Sequence, residues 1–124
     1  MIVHLDTSAL VDALTGPRRS LSSLVSLIEQ GHRLTLSTIV LYEWLRGPRV
    51  RAELLAQEEL FPRDAAVAFG PAEAEAAARL YGALRRPRGR EIDLAVAACA
   101  MAGDAALWTL NRRDFEDIKD LRLV

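Results

Sequence analysis

The chain is short of the side chains that staple or ligate. It has one cysteine, Cys99, which leaves no intramolecular disulfide and no cysteine-held zinc module. Its two histidines read as structural, His4 inside an apolar run and His32 after Gly31 in a turn. No apolar stretch approaches the roughly 18 uncharged residues that a membrane-spanning helix needs. Met1-Ile-Val-His-Leu-Asp6 has no basic segment ahead of its first acid, so it does not read as a secretion signal. Neither sign of charge dominates: 16 basic and 17 acidic residues leave a net charge of −1, which by itself marks no polyanion binder. Lysine is nearly absent too, Lys119 standing beside 15 arginines. Arginine suits phosphate through its planar fork, although GC-rich coding explains the bias equally well.

What is present is enough for one core. At 124 residues, 51% hydrophobic and 27% charged, the chain has the balance of a single globular domain, 1–124, expected in the cytoplasm. Ile2–Leu5 reads as a buried strand. Thr7 and Ser8 offer capping oxygens to a helix that runs to about Leu14 and stops at Gly16-Pro17. Leu21, Leu24, Val25, Leu27 and Ile28 repeat at helical spacing up to Gly31. A strand from Arg33 to Ser37 precedes helices at Thr38–Arg46 and Val50–Leu60. Then come a strand at Ala66–Phe69, a helix from Ala72 to Arg85, and a helix from Glu91 to Met101. A strand at Ala105–Thr109, a short helix at Arg112–Ile118 and an edge strand at Leu121–Val124 complete the pattern. This order predicts a three-layer α/β/α sandwich with a mainly parallel sheet of about five strands.

In such sheets, sites lie beyond the carboxyl ends of the strands. Asp6 closes the first strand, Glu43 lies in the helix after the second, Asp93 opens the helix before the fourth, and Asp114 follows it. Singly, each has a plain structural reading as a cap, a dipole partner or, for Glu43, a surface pair with Arg46. Together, four acids at one edge repel unless protons or a cation intervene. Oxygen donors without His or Cys suit Mg²⁺ or Mn²⁺ rather than zinc. A metal so held can activate water for displacement at phosphorus.

Leu5-Asp6-Thr7-Ser8-Ala9-Leu10 resembles the opening motif of PIN domains, and the acids of Leu41-Tyr-Glu43-Trp-Leu-Arg-Gly47 and Ile92-Asp93-Leu-Ala-Val-Ala-Ala98 match the second and third acids of that family. Trp108-Thr-Leu-Asn111-Arg-Arg-Asp114-Phe115 is similar to its closing motif. The small size looks most like VapC toxins. That resemblance implies a Mg²⁺- or Mn²⁺-dependent endoribonuclease acting on tRNA or other structured RNA, a homodimer, and a VapB antitoxin whose C-terminal segment covers the site. Carried over, Asp6, Glu43 and Asp93 become metal ligands. Asp114 is expected as the fourth, with neutral Asn111 auxiliary, and Thr7, Ser8 and Thr109 would orient carboxylates or water.

Arg88, Arg90, Arg112 and Arg113 are the candidates for RNA phosphates. Arg85 and Arg86 stand equally well as partners of a helix dipole. Trp44, Leu45, Leu54, Leu55, Leu60 and Phe61 are candidates for an antitoxin groove, against ordinary core packing. Two rival enzyme and binding classes fail on residues. A haloacid-dehalogenase-like phosphatase needs an acid where Ser8 stands, and a phospho-receiver needs an Asp after the third strand and a well-placed lysine. A non-catalytic PIN-type module that binds RNA or protein remains the alternative.

Overall fold

The computed structural model describes residues 1–124. Three parallel strands form its sheet: β1 (Ile2–Leu5) lies between β2 (Arg33–Thr35) and β3 (Ala106–Trp108). Val3 stands opposite Leu34 on one side and Ala106 on the other. A strand paired on both edges and covered on both faces is buried along its length: Val3 and Leu5 are buried, and so is His4, the one polar residue between them. The helices are α1 (Thr7–Leu14), α2 (Leu21–Glu29), α3 (Thr38–Arg46), α4 (Arg51–Leu60), α5 (Pro71–Ala83) and α6 (Glu91–Ala102). They give the expected three-layer α/β/α arrangement, with α1 packed on α2, α3 and α4, and α6 on α3, α5 and β3.

The composition of α6 explains its central place. Residues Leu94 to Ala100 are buried on every side of the helix, and four of those seven are alanine. A helix that is apolar all round belongs in the interior, and its small side chains let neighbours approach closely. Trp44, Leu5, Leu10, Leu107 and Phe115 fill the rest of the core.

The sheet is narrower than the five strands expected. Ala66–Phe69 contributes one bridge, Ser37 to Val67, and Leu121–Val124 one bridge, Leu107 to Leu123. Each outer segment is too confined to pair further. The first sits between a 3₁₀ turn at Arg63–Ala65 and helix α5, with Val67 giving its N–H to Leu36 and its carbonyl to Thr38. In the second, Leu107 takes both bonds, donating to Arg122 O and accepting from Val124 N. The expected helix at Arg112–Ile118 is a single 3₁₀ turn, Arg112–Asp114. Helix α5 ends at Ala83 rather than Arg85, because Pro87 and the residue before it resist helical geometry and the chain is already extended at Leu84.

Leu5 has no exposed surface and sits in the strand that both neighbours pair with. Replacing it with alanine should destabilise the fold by about 2–5 kcal/mol, read as a shift in the urea midpoint with unchanged slope.

Candidate active site at the carboxyl edge of the sheet

Asp6 is the first residue beyond β1. Its N–H donates to Trp108 O at 2.8 Å, which carries the β1–β3 ladder one step past the strand. Its backbone is extended (φ −74°, ψ 158°) at the position that caps α1, yet its side chain makes no capping bond. Thr7 and Ser8 do not cap either; they serve the acids. Ser8 Oγ donates to Asp6 Oδ2 at 3.0 Å, and Thr109 Oγ1 donates to the same oxygen at 2.7 Å. Each hydroxyl has one proton, so both are committed to Asp6, and their oxygens accept from backbone N–H groups instead. Leu110 N bonds Ser8 Oγ and Asn111 N bonds Thr109 Oγ1, both at 3.0 Å. The loop after β3 is thereby fastened to the carboxylate after β1. Asp6 Oδ1 receives no protein donor.

Glu43 arrives from the middle of α3. Thr7 Oγ1 donates to its Oε1 at 2.7 Å, and Arg46 Nη2 to its Oε2 at 3.3 Å. The Arg46 pair anticipated from spacing is therefore real, and the same acid faces the cleft. Asp93, in the first turn of α6, has no hydrogen bond from the protein. Burial, chiefly, and then the charges of Asp6, Asp114 and Glu43 push its pKa from 3.8 to about 6, against a smaller opposing pull from Arg90.

Asp6, Thr7, Ser8, Glu43, Asp93 and Asn111 line one end of an open cleft of about 530 Å³. Its far end is made by Asp12, Thr15, Gly16, Pro17 and Arg19. That far end carries no signal in the residue pattern. Asp12 is gripped by Ser20 Oγ at 2.5 Å and by Arg19 at 3.2 Å, across a loop whose positive φ at Gly16 and Arg18 folds it back on α1. Asp114 lines a neighbouring pocket, while Asn111 is in the cleft wall itself.

The donor set is all oxygen, burial and neighbouring charge lift the pKa of one acid to about 6, and the cleft opens to solvent, which suits a hard divalent cation. The carboxylates stand apart in this conformation: no three of them converge on a single ion position. Binding a cation therefore requires side-chain rotation within the cleft.

The arginines divide. Arg90 forms a two-pronged bond with Asp117 at 2.7 and 2.8 Å and donates to Asp114 O at 2.8 Å, so it braces the loop before α6. Asp117, its partner, was not singled out in the sequence. Arg112 is likewise engaged, donating to Val124 O at 2.9 Å. Arg88 and Arg113 make no hydrogen bond or ion pair with the protein. Of the residues considered for a groove, Trp44 and Phe61 belong to the core, because the inward stripe of α3 is Val40 and Trp44 at helical spacing. Leu45, Leu55 and Leu60 are exposed, and Leu54 is half-buried.

The PIN domain family profile matches residues 3–121. The chain is 36% identical to Ribonuclease VapC19 of Mycobacterium tuberculosis, over 95% of each sequence. It belongs to the PIN-domain family, in its VapC branch. Solved structures agree in fold. VapBC2 of Rickettsia felis, bound to a promoter DNA fragment, superposes with a TM-score of 0.79 at 23% identity, covering 100% of this chain and 98% of that one. VapBC-1 of nontypeable Haemophilus influenzae gives a TM-score of 0.74 at 24% identity, covering 100% and 97%. Within this PIN domain, Asp6, Glu43, Asp93 and Asn111 all lie inside the matched span.

Two outcomes follow from the acids. Asp93 binds its proton more tightly folded than unfolded, so its contribution to stability is full below about pH 3.8 and is lost as pH rises towards about 6. In EDTA, the wild-type melting temperature should fall across that window relative to Asp93→Asn, which lacks the titration; parallel profiles would contradict the crowding. Thr109→Val removes one of the two donors to Asp6 and should weaken Mn²⁺ binding by about 10-fold or more, measured by calorimetry.

Proposed function

We propose that this PIN domain is the toxin of a type II toxin–antitoxin pair, a Mg²⁺- or Mn²⁺-dependent endoribonuclease that hydrolyses phosphodiester bonds of tRNA or another structured RNA. The observation that carries the reading is the cleft that Asp6, Glu43 and Asp93 line together, with Asp93 given no donor by the protein and its pKa raised to about 6. A divalent ion there would supply Lewis-acid stabilisation of the phosphoryl group and lower the pKa of the attacking water. Asp6, Glu43, Asp93 and Asp114 are assigned to hold it, with Asn111 auxiliary.

The chain's own residues do the rest. Ser8 and Thr109 fix Asp6 by one oxygen and leave Oδ1 free, and Thr7 and Arg46 orient Glu43. Asp93, untethered by any donor, is the carboxylate free to turn and take the proton of the attacking water. The expected partners are a VapB-type antitoxin and a second copy of the chain. No helix of the structure is long and apolar enough to cross a membrane.

The separation of the acids in this conformation is the one feature that favours a non-catalytic module instead. Cleavage decides between them. Purified protein with Mg²⁺ or Mn²⁺ should cut total cellular RNA into discrete fragments. Asp6→Asn and Asp93→Asn should each lower the rate by about 100-fold or more, as should EDTA. Equal cutting by wild type and Asp6→Asn would sink the assignment.

A further inference from the structure

Beside the acidic cleft lies a second pocket, about 500 Å³, lined by Arg85, Arg86, Arg90, Arg113, Asp114 and Asp117 and by no apolar residue. Its charges do not cancel. Arg90 and Asp117 neutralise one another in their two-pronged bond. Arg85, Arg86 and Arg113 form no ion pair and give no side-chain hydrogen bond, so three free cations face one carboxylate, Asp114. Helix α5 has already ended at Ala83, which places Arg85 and Arg86 beyond the last turn rather than in it. Their explanation as dipole partners within the helix therefore lapses.

The pocket is also built. Arg90 bonds Asp117, the carbonyl of Asp114 at 2.8 Å and the carbonyl of Arg86 at 3.4 Å. One guanidinium thus joins the loop carrying Arg85 and Arg86 to the turn carrying Arg113. The two pockets are contiguous through the chain, since Asn111 lines the acidic cleft and Arg113 and Asp114, on the following 3₁₀ turn, line this one.

We infer that Arg85, Arg86 and Arg113 form a docking subsite for RNA backbone phosphates flanking the bond held in the acidic cleft, with Arg90 as a positioning residue that sets the loop. The inference rests on the nuclease reading for the identity of its ligand. Free guanidinium forks match phosphate oxygens in pairs, whereas a carboxylate cleft alone would repel a polyanion. The subsite supplies the attraction that the chain's net charge of −1 does not.

The test uses a fluorescein-labelled single-stranded 20-nucleotide RNA in EDTA, with anisotropy followed from 50 to 300 mM KCl. The triple variant Arg85→Gln, Arg86→Gln, Arg113→Gln is compared with wild type. A charge-matched control, Arg33→Gln, Arg51→Gln, Arg63→Gln, changes exposed arginines outside both pockets. The subsite predicts binding weakened by about tenfold or more at low salt in the first variant only. It also predicts a salt slope reduced by about 0.7 for each lost phosphate contact. Arginine-to-lysine replacements at the same three positions should restore most of the slope. Equal losses in both variants would reduce the effect to net charge and overturn the subsite, as would no measurable binding by wild type. RNA held in an arginine-dependent way but never cut with Mg²⁺ or Mn²⁺ would overturn the nuclease reading and leave the subsite standing. Cutting by the triple variant with unchanged kcat/KM and salt slope would do the reverse.

Discussion

Like charges gathered at one edge of a small sheet are the constraint around which this molecule is arranged. Two carboxylates ~4 Å apart repel by about 4 kcal/mol at an effective dielectric of 20, and here Asp6, Glu43 and Asp114 all act on Asp93. The fold answers the repulsion differently at each acid. Asp6 receives two hydroxyl donors, Glu43 a hydroxyl and a guanidinium, and Asp93 none. What remains falls on Asp93, whose pKa is raised to about 6 by burial and then by these charges, so that a proton relieves it only at acidic pH. A cation is the other means of relief, and an oxygen-only cleft open to solvent is where a hard one binds.

That edge depends on the sheet's centre. Because β1 is paired on both sides, Asp6 emerges between the ends of β2 and β3, and both following segments are delivered beside it. Helix α3 leaves the end of β2 and brings Glu43, while the loop after β3 brings Thr109 and Asn111. Helix α6, buried on all sides along its middle, holds the half-buried Asp93 in its first turn against them. The polar bonds then reinforce the topology: the Asp6 carboxylate, through Ser8 and Thr109, fixes the loop that forms its own cleft wall. Cleft geometry and local folding thus share the same hydroxyls.

Much of this was legible in the sequence because it rests on periodicity and strand ends. The central strand, six helices and the positions of Asp6, Glu43 and Asp93 follow from apolar runs interrupted by Gly and Pro. Three kinds of feature were not legible. Whether Val67 and Leu123 extend strands or make one bridge each depends on how neighbouring turns confine them, which local pattern does not encode. The sequence left Thr7 and Ser8 with two roles, capping and orienting carboxylates, because their hydroxyls suit both; only the second is realised. Long-range pairs such as Arg90 with Asp117 and Asp12 with Ser20 have no sequence signature. That is why Arg90, a plausible phosphate contact by position, proves to be a brace.

Paramagnetic broadening shows whether these acids form the cation site. In this experiment Mn²⁺ is titrated at substoichiometric levels into ¹⁵N-labelled protein at pH 7, and backbone amide line widths are followed. A cation held in the cleft gives broadening centred on Thr7, Ser8, Glu43, Asp93 and Asn111, fading with distance and abolished by Asp6→Asn. Broadening centred instead on other acids, such as Glu58 and Glu59 on α4, or unaffected by that substitution, would contradict it.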